Sequence, residues 1–198
     1  MNEYLIDLTN LNLQGNVLDI SNNHYDIIYG LFKETFQEVS VDYVECDSEM
    51  LEEEFYHNVI MLFHMGKLWT NGERGNIIKS ILKKMKKDGE LLLLDIDKKY
   101  GEIFQGKIIM ILPNSKTKEI IVKDYNPLKE IRKSSIERIL QPYFEIQEEK
   151  SCGNVYYIRA KRKGNDENED TNGGIELKVH SHKLGFKISK GLYKKTKL

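Results

Sequence analysis

The chain lacks several features that would point directly to a compartment. Its two cysteines, Cys46 and Cys152, fall in a predicted strand and a predicted turn without the spacing of metal ligands, which indicates reduced thiols. No apolar run approaches the roughly 20 residues that a membrane helix needs. The N-terminus lacks the basic and then apolar pattern of a secretion signal. We therefore expect a soluble protein of the cytoplasm with no membrane partner.

An excess of one charge is also lacking. Lysine and arginine together number 30, against 31 aspartates and glutamates, so the composition implies no strongly acidic or basic partner. No nucleophile can be matched with a base, and no glycine-rich lysine motif is present to hold phosphate. His180 and His182 have no cysteine or acidic partners that would complete a metal site. We expect no metal, and the catalytic residues stay unknown.

What the sequence does contain is an alternation of apolar strands and amphipathic helices. Strands are predicted at 17–20, 39–46, 59–63 and 91–94, and helical spacing follows the first and third of them. Two capping boxes are predicted, Thr70 with Glu73 and Ser134 with Glu137. Such an alternation predicts a largely parallel sheet that is covered on both faces.

Three other segments complete the predicted domain. Residues 1–13 carry a weak amphipathic pattern and predict a short leading helix. Residues 106–122 predict an inserted β-hairpin around a turn at 113–116. Two final strands, at 144–149 and 155–160, form an antiparallel pair. The sheet is therefore expected to be mostly parallel and to close with an antiparallel strand.

The C-terminal segment differs in composition from the rest. Residues 164–174 form a polar, acidic linker that buries too little apolar surface to fold alone. After it, lysines interleave with apolar residues, and Leu184, Phe186 and Ile188 alternate as in a strand. Two interpretations stay open, a contact with an anionic polymer such as RNA and a loosely packed basic tail. We expect domain limits at 1–163 and 164–198.

The order of these elements, with the segments 17–20, 46–51, 55–65 and 77–97, resembles that of a known family. The chain resembles the class I S-adenosylmethionine-dependent methyltransferases. The resemblance implies an α/β fold, a Rossmann-like three-layer sandwich with a C-terminal antiparallel strand. Only one strand fits between the first helix and Asp47, so the region of the second and third strands is reduced.

The resemblance also implies a site for S-adenosylmethionine where the first and central strands end. The residues implied are Asp19, Ser21, Asn22, Asn23, Glu45, Asp47, Phe63 and His64. Asp19 either binds the amino end of the cofactor or fixes its own loop. His64 is either a general base or structural. If the strand at 39–46 is the family's second, Asp42 or Glu45 would hold the ribose; if it is the third, Asp47 would face the adenine.

The turn after the first strand departs from the family's glycine-rich pattern. The family has Asp-x-Gly-x-Gly-x-Gly there, and residues 19–25 are Asp-Ile-Ser-Asn-Asn-His-Tyr. Asparagine tolerates a positive φ, but its side chain occupies room that the cofactor would need. Two functions therefore stay open: methyl transfer to an unknown acceptor, small or macromolecular, and a catalytically inactive relative that serves as a binding or scaffold module without the cofactor.

Overall fold

The computed structural model describes residues 1–21, 27, 30–31, 41–43, 53–113 and 115–164. The predicted site residues Asn22, Asn23, Glu45 and Asp47 lie outside the described residues, as does the predicted tail beyond Gly164. Among the described residues, no helix combines the length and the apolar character needed to cross a bilayer.

The described ranges form a mixed α/β fold with two sheets and two helices of defined bounds. The helices are α1 (Asn71–Lys84) and α2 (Lys133–Leu140), and a 3₁₀ turn covers Met65–Lys67. Ile27, Gly30 and Leu31 are also helical. The strands are β1 (Asn2–Asp7), β2 (Val17–Asp19), β3 (Val41–Tyr43), β4 (Tyr56–Leu62), β5 (Met85–Ile96), β6 (Phe104–Ile111), β7 (Thr117–Asp124), β8 (Phe144–Cys152) and β9 (Val155–Arg162).

The larger sheet has six strands in the order β3-β2-β4-β5-β9-β8. The strands β3, β2, β4 and β5 pair in parallel, and β9 is antiparallel to both β5 and β8. Leu18 lies opposite Val59, so the apolar segments 17–20 and 59–63 are adjacent and parallel, as predicted. The strand β3 pairs directly with β2, the strand that contains the first apolar segment predicted from the sequence.

One face of this sheet is covered by the two helices. The buried side chains Ile77, Ile78 and Ile81 of α1, with Ile136 and Leu140 of α2, pack against alternate residues of the central strands. Burial of this apolar stripe is the main force that holds each helix in place.

The capping prediction was confirmed for α1 and wrong for α2. Thr70 accepts a hydrogen bond from the backbone of Glu73 at 3.1 Å, and the Glu73 carboxylate accepts one from the backbone of Thr70 at 2.8 Å. The helix α2 instead begins after Arg132, which makes no side-chain cap, so Ser134 lies inside the first turn.

Among the described residues, a second sheet packs against the opposite face of the six-stranded sheet. This smaller sheet has three strands in the order β1-β6-β7; β1 pairs with β6 in parallel, and β6 pairs with β7 antiparallel. The inward-facing residues of this smaller sheet form part of one hydrophobic core with Ile27 and Leu31. Gly30 lies close to the residue that follows β6, since a Cβ on Gly30 would lie 2.3 Å from the Leu112 side chain.

The predicted leading helix at 1–13 was wrong, because residues Asn2–Asp7 form β1. Tyr4 and Ile6 are buried, whereas Leu5 between them is 54% exposed, which is the two-residue period of a strand. Pairing with β6, distant in the sequence, selects the strand over the helix. The predicted hairpin segments lie within β6 and β7, and β1 adds to them as a third strand.

Candidate functional site

Asp19 ends β2 and lies in the interior of the protein. Its side chain is 1% exposed, and its Oδ1 accepts a hydrogen bond from the backbone N–H of Ser21 at 2.7 Å. The Ser21 hydroxyl also donates to this carboxyl group, and its oxygen accepts the N–H of Leu62 at 2.8 Å. Ser21 thereby joins the end of β2 to the end of β4.

The second carboxyl oxygen of Asp19 is buried. Its Oδ2 has no hydrogen-bond partner among the described residues. Burial raises the pKa of Asp19 to about 7, although the hydrogen bonds from Ser21 and the charge of Lys67 favour the ionised form. A cationic donor placed beside Oδ2 would satisfy the oxygen and favour the carboxylate.

Phe63 follows β4 in a strained backbone conformation. Its φ is +52°, a value that bulky residues seldom adopt, and its N–H donates to the carbonyl of Leu94 at 2.7 Å. Strain of this kind costs about 1–3 kcal/mol and is concentrated at functional sites. The turn at Phe63 redirects the chain at the edge where β2 and β4 end.

His64 is buried beside the end of β2. Its imidazole is hydrogen-bonded to the carbonyl of Ile20, and its Nδ1 has no partner among the described residues. Burial, with a smaller effect of Lys67, lowers the pKa of His64 to about 4. The ring is therefore neutral near pH 7, and so low a pKa makes it a weak general base there.

The structure therefore brings together four of the residues implied by the sequence. Asp19 and Ser21 follow β2, Phe63 and His64 follow β4, and the Ser21–Leu62 and His64–Ile20 hydrogen bonds cross between the two strand ends. The strand β3 ends at Tyr43, opposite Asp19.

A buried aspartate that the sequence analysis did not single out fixes the turn after β4. The Oδ2 of Asp95 accepts the N–H of Gly66 at 2.9 Å, and its Oδ1 accepts the N–H of Ile96 at 2.8 Å. Burial raises the pKa of Asp95 to about 6, despite these hydrogen bonds and the charge of Arg74. Its signal in the sequence was an acidic residue at the end of an apolar strand.

Arg74 holds the same turn from the helix side. Its guanidinium donates to the carbonyls of Met65, Leu68 and Glu130 at 2.8–3.2 Å. It is 2% exposed, so these bonds replace water around a buried cation. The turn that carries Lys67 is thus rigidly placed next to Asp19 and His64.

A second buried cation lies beyond the end of β5. The Lys98 side chain is 1% exposed, and its Nζ is 3.0 Å from Oδ1 of Asp124. Lys129 contacts the other oxygen of Asp124 at 2.9 Å. Burial opposes the ionisation of Asp124, but the hydrogen bonds from the two lysines outweigh it and hold its pKa below the ordinary value. Within the described ranges, no three histidine, cysteine or acidic residues are grouped to hold a metal.

The fold is similar to solved methyltransferase structures. An S-adenosylmethionine-dependent methyltransferase from Methanosarcina mazei matches with a TM-score of 0.52 and 13% identity over 78% of this chain and 95% of that one. The 1,6-didemethyltoxoflavin-N1-methyltransferase of Burkholderia thailandensis, solved with bound 1,6-didemethyltoxoflavin and S-adenosylhomocysteine, matches with a TM-score of 0.50 and 13% identity over 75% of this chain and 71% of that one.

A third structure of this kind comes from Aquifex aeolicus. That S-adenosylmethionine-dependent methyltransferase matches with a TM-score of 0.50 and 11% identity over 77% of this chain and 84% of that one. No protein-family model matches the chain, and no curated protein matches it by sequence. At these identities, the similarity establishes the fold.

Proposed function

Because the chain has the fold of the class I S-adenosylmethionine-dependent methyltransferases, we propose that it transfers a methyl group from S-adenosylmethionine to an acceptor still to be identified. The observation that carries this proposal is Asp19. Its buried Oδ2 lacks a donor among the described residues, at the end of the strand where the resemblance locates the amino end of the cofactor.

The residues at this edge fit the amino acid part of the cofactor. An ammonium group beside Oδ2 of Asp19 would supply the missing donor and the compensating charge. Ser21 orients the carboxyl group from the other side. We assign Phe63 and His64 to the wall of the same site, and Asn22 and Asn23 to its turn.

The proposed reaction needs alignment more than it needs a reactive side chain. The bound cofactor would supply a methyl group already activated by its sulfonium. The chain would hold donor and acceptor in line and exclude water. With a pKa of about 4, His64 is assigned to binding rather than to proton transfer.

The remaining assignments extend the same proposal. We propose that the six-stranded sheet corresponds to a Rossmann-like sheet with a reduced second and third strand region. In this proposal β3 takes the second position, and Asp42 or Glu45 would hold the ribose; Asp47 would face the adenine if β3 were instead the third strand. The pairing of β3 with β2 supports this assignment. We further propose a domain at 1–163 in the cytoplasm, with β6 and β7 shaping the acceptor pocket.

Residues 164–198 are proposed as an acidic linker, 164–174, followed by a basic tail that binds an anionic polymer. The lysines of that segment support it. Replacing Lys187, Lys190 and Lys194 by glutamate in the full chain should weaken binding to RNA, most strongly at low salt. Binding that is unaffected by these changes would rule out this role of the tail.

Calorimetry tests the cofactor site directly. The wild-type chain should bind both S-adenosylmethionine and S-adenosylhomocysteine, because both carry the ammonium group. Asp19→Asn should weaken binding about 10–100-fold, the value of a charge-assisted hydrogen bond. Asp88→Asn, at an exposed aspartate, should bind as wild type does.

The dependence of binding on pH adds a second measurement. Asp19 is partly protonated near its pKa of about 7, and an ammonium partner favours the carboxylate. Binding should therefore tighten between about pH 6 and about pH 8 in the wild type and much less in Asp19→Asn. If the wild type gives neither heat nor a thermal shift at about millimolar ligand, the proposal fails and the non-catalytic binding module becomes the better assignment.

A further inference from the structure

Among the residues that the structure describes, β7 is an edge strand with an exposed outer side. It pairs with β6 on one side, and no strand of the described residues pairs with the other. Glu119 is 54% exposed and Ile121 is 59% exposed. An edge strand of eight residues without proline presents backbone donors and acceptors to any strand that can align with it.

The hydrogen-bond pattern shows which backbone groups face outward. Leu112 donates to the carbonyl of Lys116 at 2.9 Å, and the same register continues through the pairs Met110–Lys118 and Ile108–Ile120. Hydrogen-bonded and non-hydrogen-bonded pairs alternate in an antiparallel ladder. The even-numbered residues of β7 thus direct their N–H and C=O groups to β6, and the odd-numbered ones direct them outward: Thr117, Glu119, Ile121 and Lys123.

We propose that β7 pairs with β7 of a second copy of this chain, antiparallel, about a two-fold axis at Ile121. The outward groups of Ile121 then meet those of the partner's Ile121, and Glu119 lies opposite the partner's Lys123. On the other face, Ile120 lies opposite the partner's Val122. The sequence of β7 is therefore complementary to its own reverse.

Neighbouring registers lose this complementarity. A two-fold axis between Ile120 and Ile121 would place residues whose backbone groups point outward opposite residues whose backbone groups point to β6. It would also place Lys118 opposite the partner's Lys123. A two-fold axis at Ile120 would keep the residues with outward backbone groups opposite one another, but it would place Glu119 opposite the partner's Ile121. Opposite charges in cross-strand pairs stabilise a sheet and like charges destabilise it, so the axis at Ile121 is favoured.

The surroundings of Glu119 fit the same arrangement. Lys107 on β6 contacts the Glu119 carboxylate at 2.9 Å on the outer face of the small sheet. In the dimer, Glu119 would lie between Lys107 of its own chain and the partner's Lys123, and Lys107 also contacts Glu3 at 3.5 Å. The interface is isologous and closed, and it joins the two small sheets into one. This inference concerns a surface of the small sheet and does not rest on the proposed methyl transfer.

Sedimentation of the full chain over a range of concentrations tests the proposal. The wild type should dimerise reversibly. Ile121→Pro should raise the dimer dissociation constant at least about tenfold, because it removes the outward N–H at the axis from both copies. That N–H points away from β6, so the fold should tolerate the change. Ile121→Thr, which keeps the N–H, should dimerise more tightly than Ile121→Pro.

Charge reversal identifies the register. Glu119→Lys and Lys123→Glu should each self-associate more weakly than the wild type, because each puts like charges opposite one another. A mixture of these two variants should form heterodimers, and the double variant should regain self-association. The two positions are too far apart along one strand for such a rescue within one chain.

Two results would overturn the inference. One is a wild type that stays monomeric up to about 100 μM, whether the edge is free or covered by another segment of the chain. The other is a dimer that neither Ile121→Pro nor the charge reversals affect. Thermal unfolding of each variant shows whether it is folded, and the heterodimer assay reports on the pairing even if one variant is less stable.

Discussion

The backbone N–H of Gly66 donates to the Asp95 carboxylate at 2.9 Å and so joins the turn after β4 to the end of β5. A side chain at position 66 would intrude on this contact, since its Cβ would lie 2.9 Å from Oδ1 of Asp95 and 3.2 Å from Ile131. The rigid turn beside Asp19 and His64 therefore requires a residue without a side chain at position 66.

Gly66→Ala should destabilise the protein by about 1–3 kcal/mol, the range for overpacking of a buried site. Chemical denaturation measures this cost. Gly75→Ala is the matched control, because position 75 lies in α1 and a Cβ there meets nothing within 4 Å. That control should be neutral or stabilising by about 0.5–1 kcal/mol. Equal effects at the two positions would contradict the packing argument.

Thr70→Ala should destabilise the protein by about 1 kcal/mol, because it removes the side-chain acceptor of the α1 capping box. Ser134→Ala should have an effect of less than about 0.5 kcal/mol, because Ser134 does not cap α2. Denaturant midpoints of the two variants provide the comparison. A larger loss for Ser134→Ala would place the α2 cap where the sequence pattern suggested.

Removing Asp124 should destabilise the protein more than removing Lys98. Asp124→Ala leaves the buried Lys98 without its carboxylate, a loss of about 3–5 kcal/mol. Lys98→Met places an apolar chain in the same space, and Asp124 keeps its contact with Lys129. Thermal unfolding measured at one pH should rank the variants in that order, and the reverse order would contradict it.

Asp19→Asn should stabilise the ligand-free protein at about pH 8 by an amount of order 1–4 kcal/mol. The folded pKa of Asp19 is raised from an ordinary value of 3.8 to about 7. Below the lower value both states are protonated, so the carboxyl group has no pH-dependent effect on the wild type. As pH rises from the lower value to the higher, the unfolded state binds fewer protons than the folded one, and the wild type loses stability.

Melting temperatures of the wild type and Asp19→Asn should therefore coincide most closely at about pH 4 and below, diverge as the pH rises from about 4 to about 7, and differ by a nearly constant amount above that. An asparagine at position 19 keeps an oxygen that can accept the Ser21 N–H, so this hydrogen bond is present in both proteins. A difference that does not change with pH would show that Asp19 is not the titrating group.

The parts of the fold that were predictable depend on local signals. The run Val59–Ile60–Met61–Leu62 is apolar on both sides, and it is the buried strand β4. The Thr70–Glu73 pair is a local hydrogen-bond motif, and α1 begins there. Asp19, Ser21, Phe63 and His64 could be selected because the family resemblance implies a cofactor site where the first and central strands end.

The parts that were missed depend on contacts distant in the sequence. Tyr4, Leu5 and Ile6 are consecutive apolar residues that satisfy a helix or a strand, and only pairing with β6 makes Leu5 the exposed one. Likewise, the sequence shows Asp95 as an acidic residue at a strand end, but its hydrogen bond to Gly66 requires two strands to be neighbours.

The parallel pairing of β1 with β6 has a consequence for how the chain reaches its native state. Asn2 pairs with Gly106, so β1 cannot find its partner during synthesis until the chain has been made as far as β6. Pairings between remote segments slow folding, because the entropy of a long loop is lost before any contact forms. The strand β1 is thus expected to pair late, after the helices α1 and α2 have packed against the six-stranded sheet.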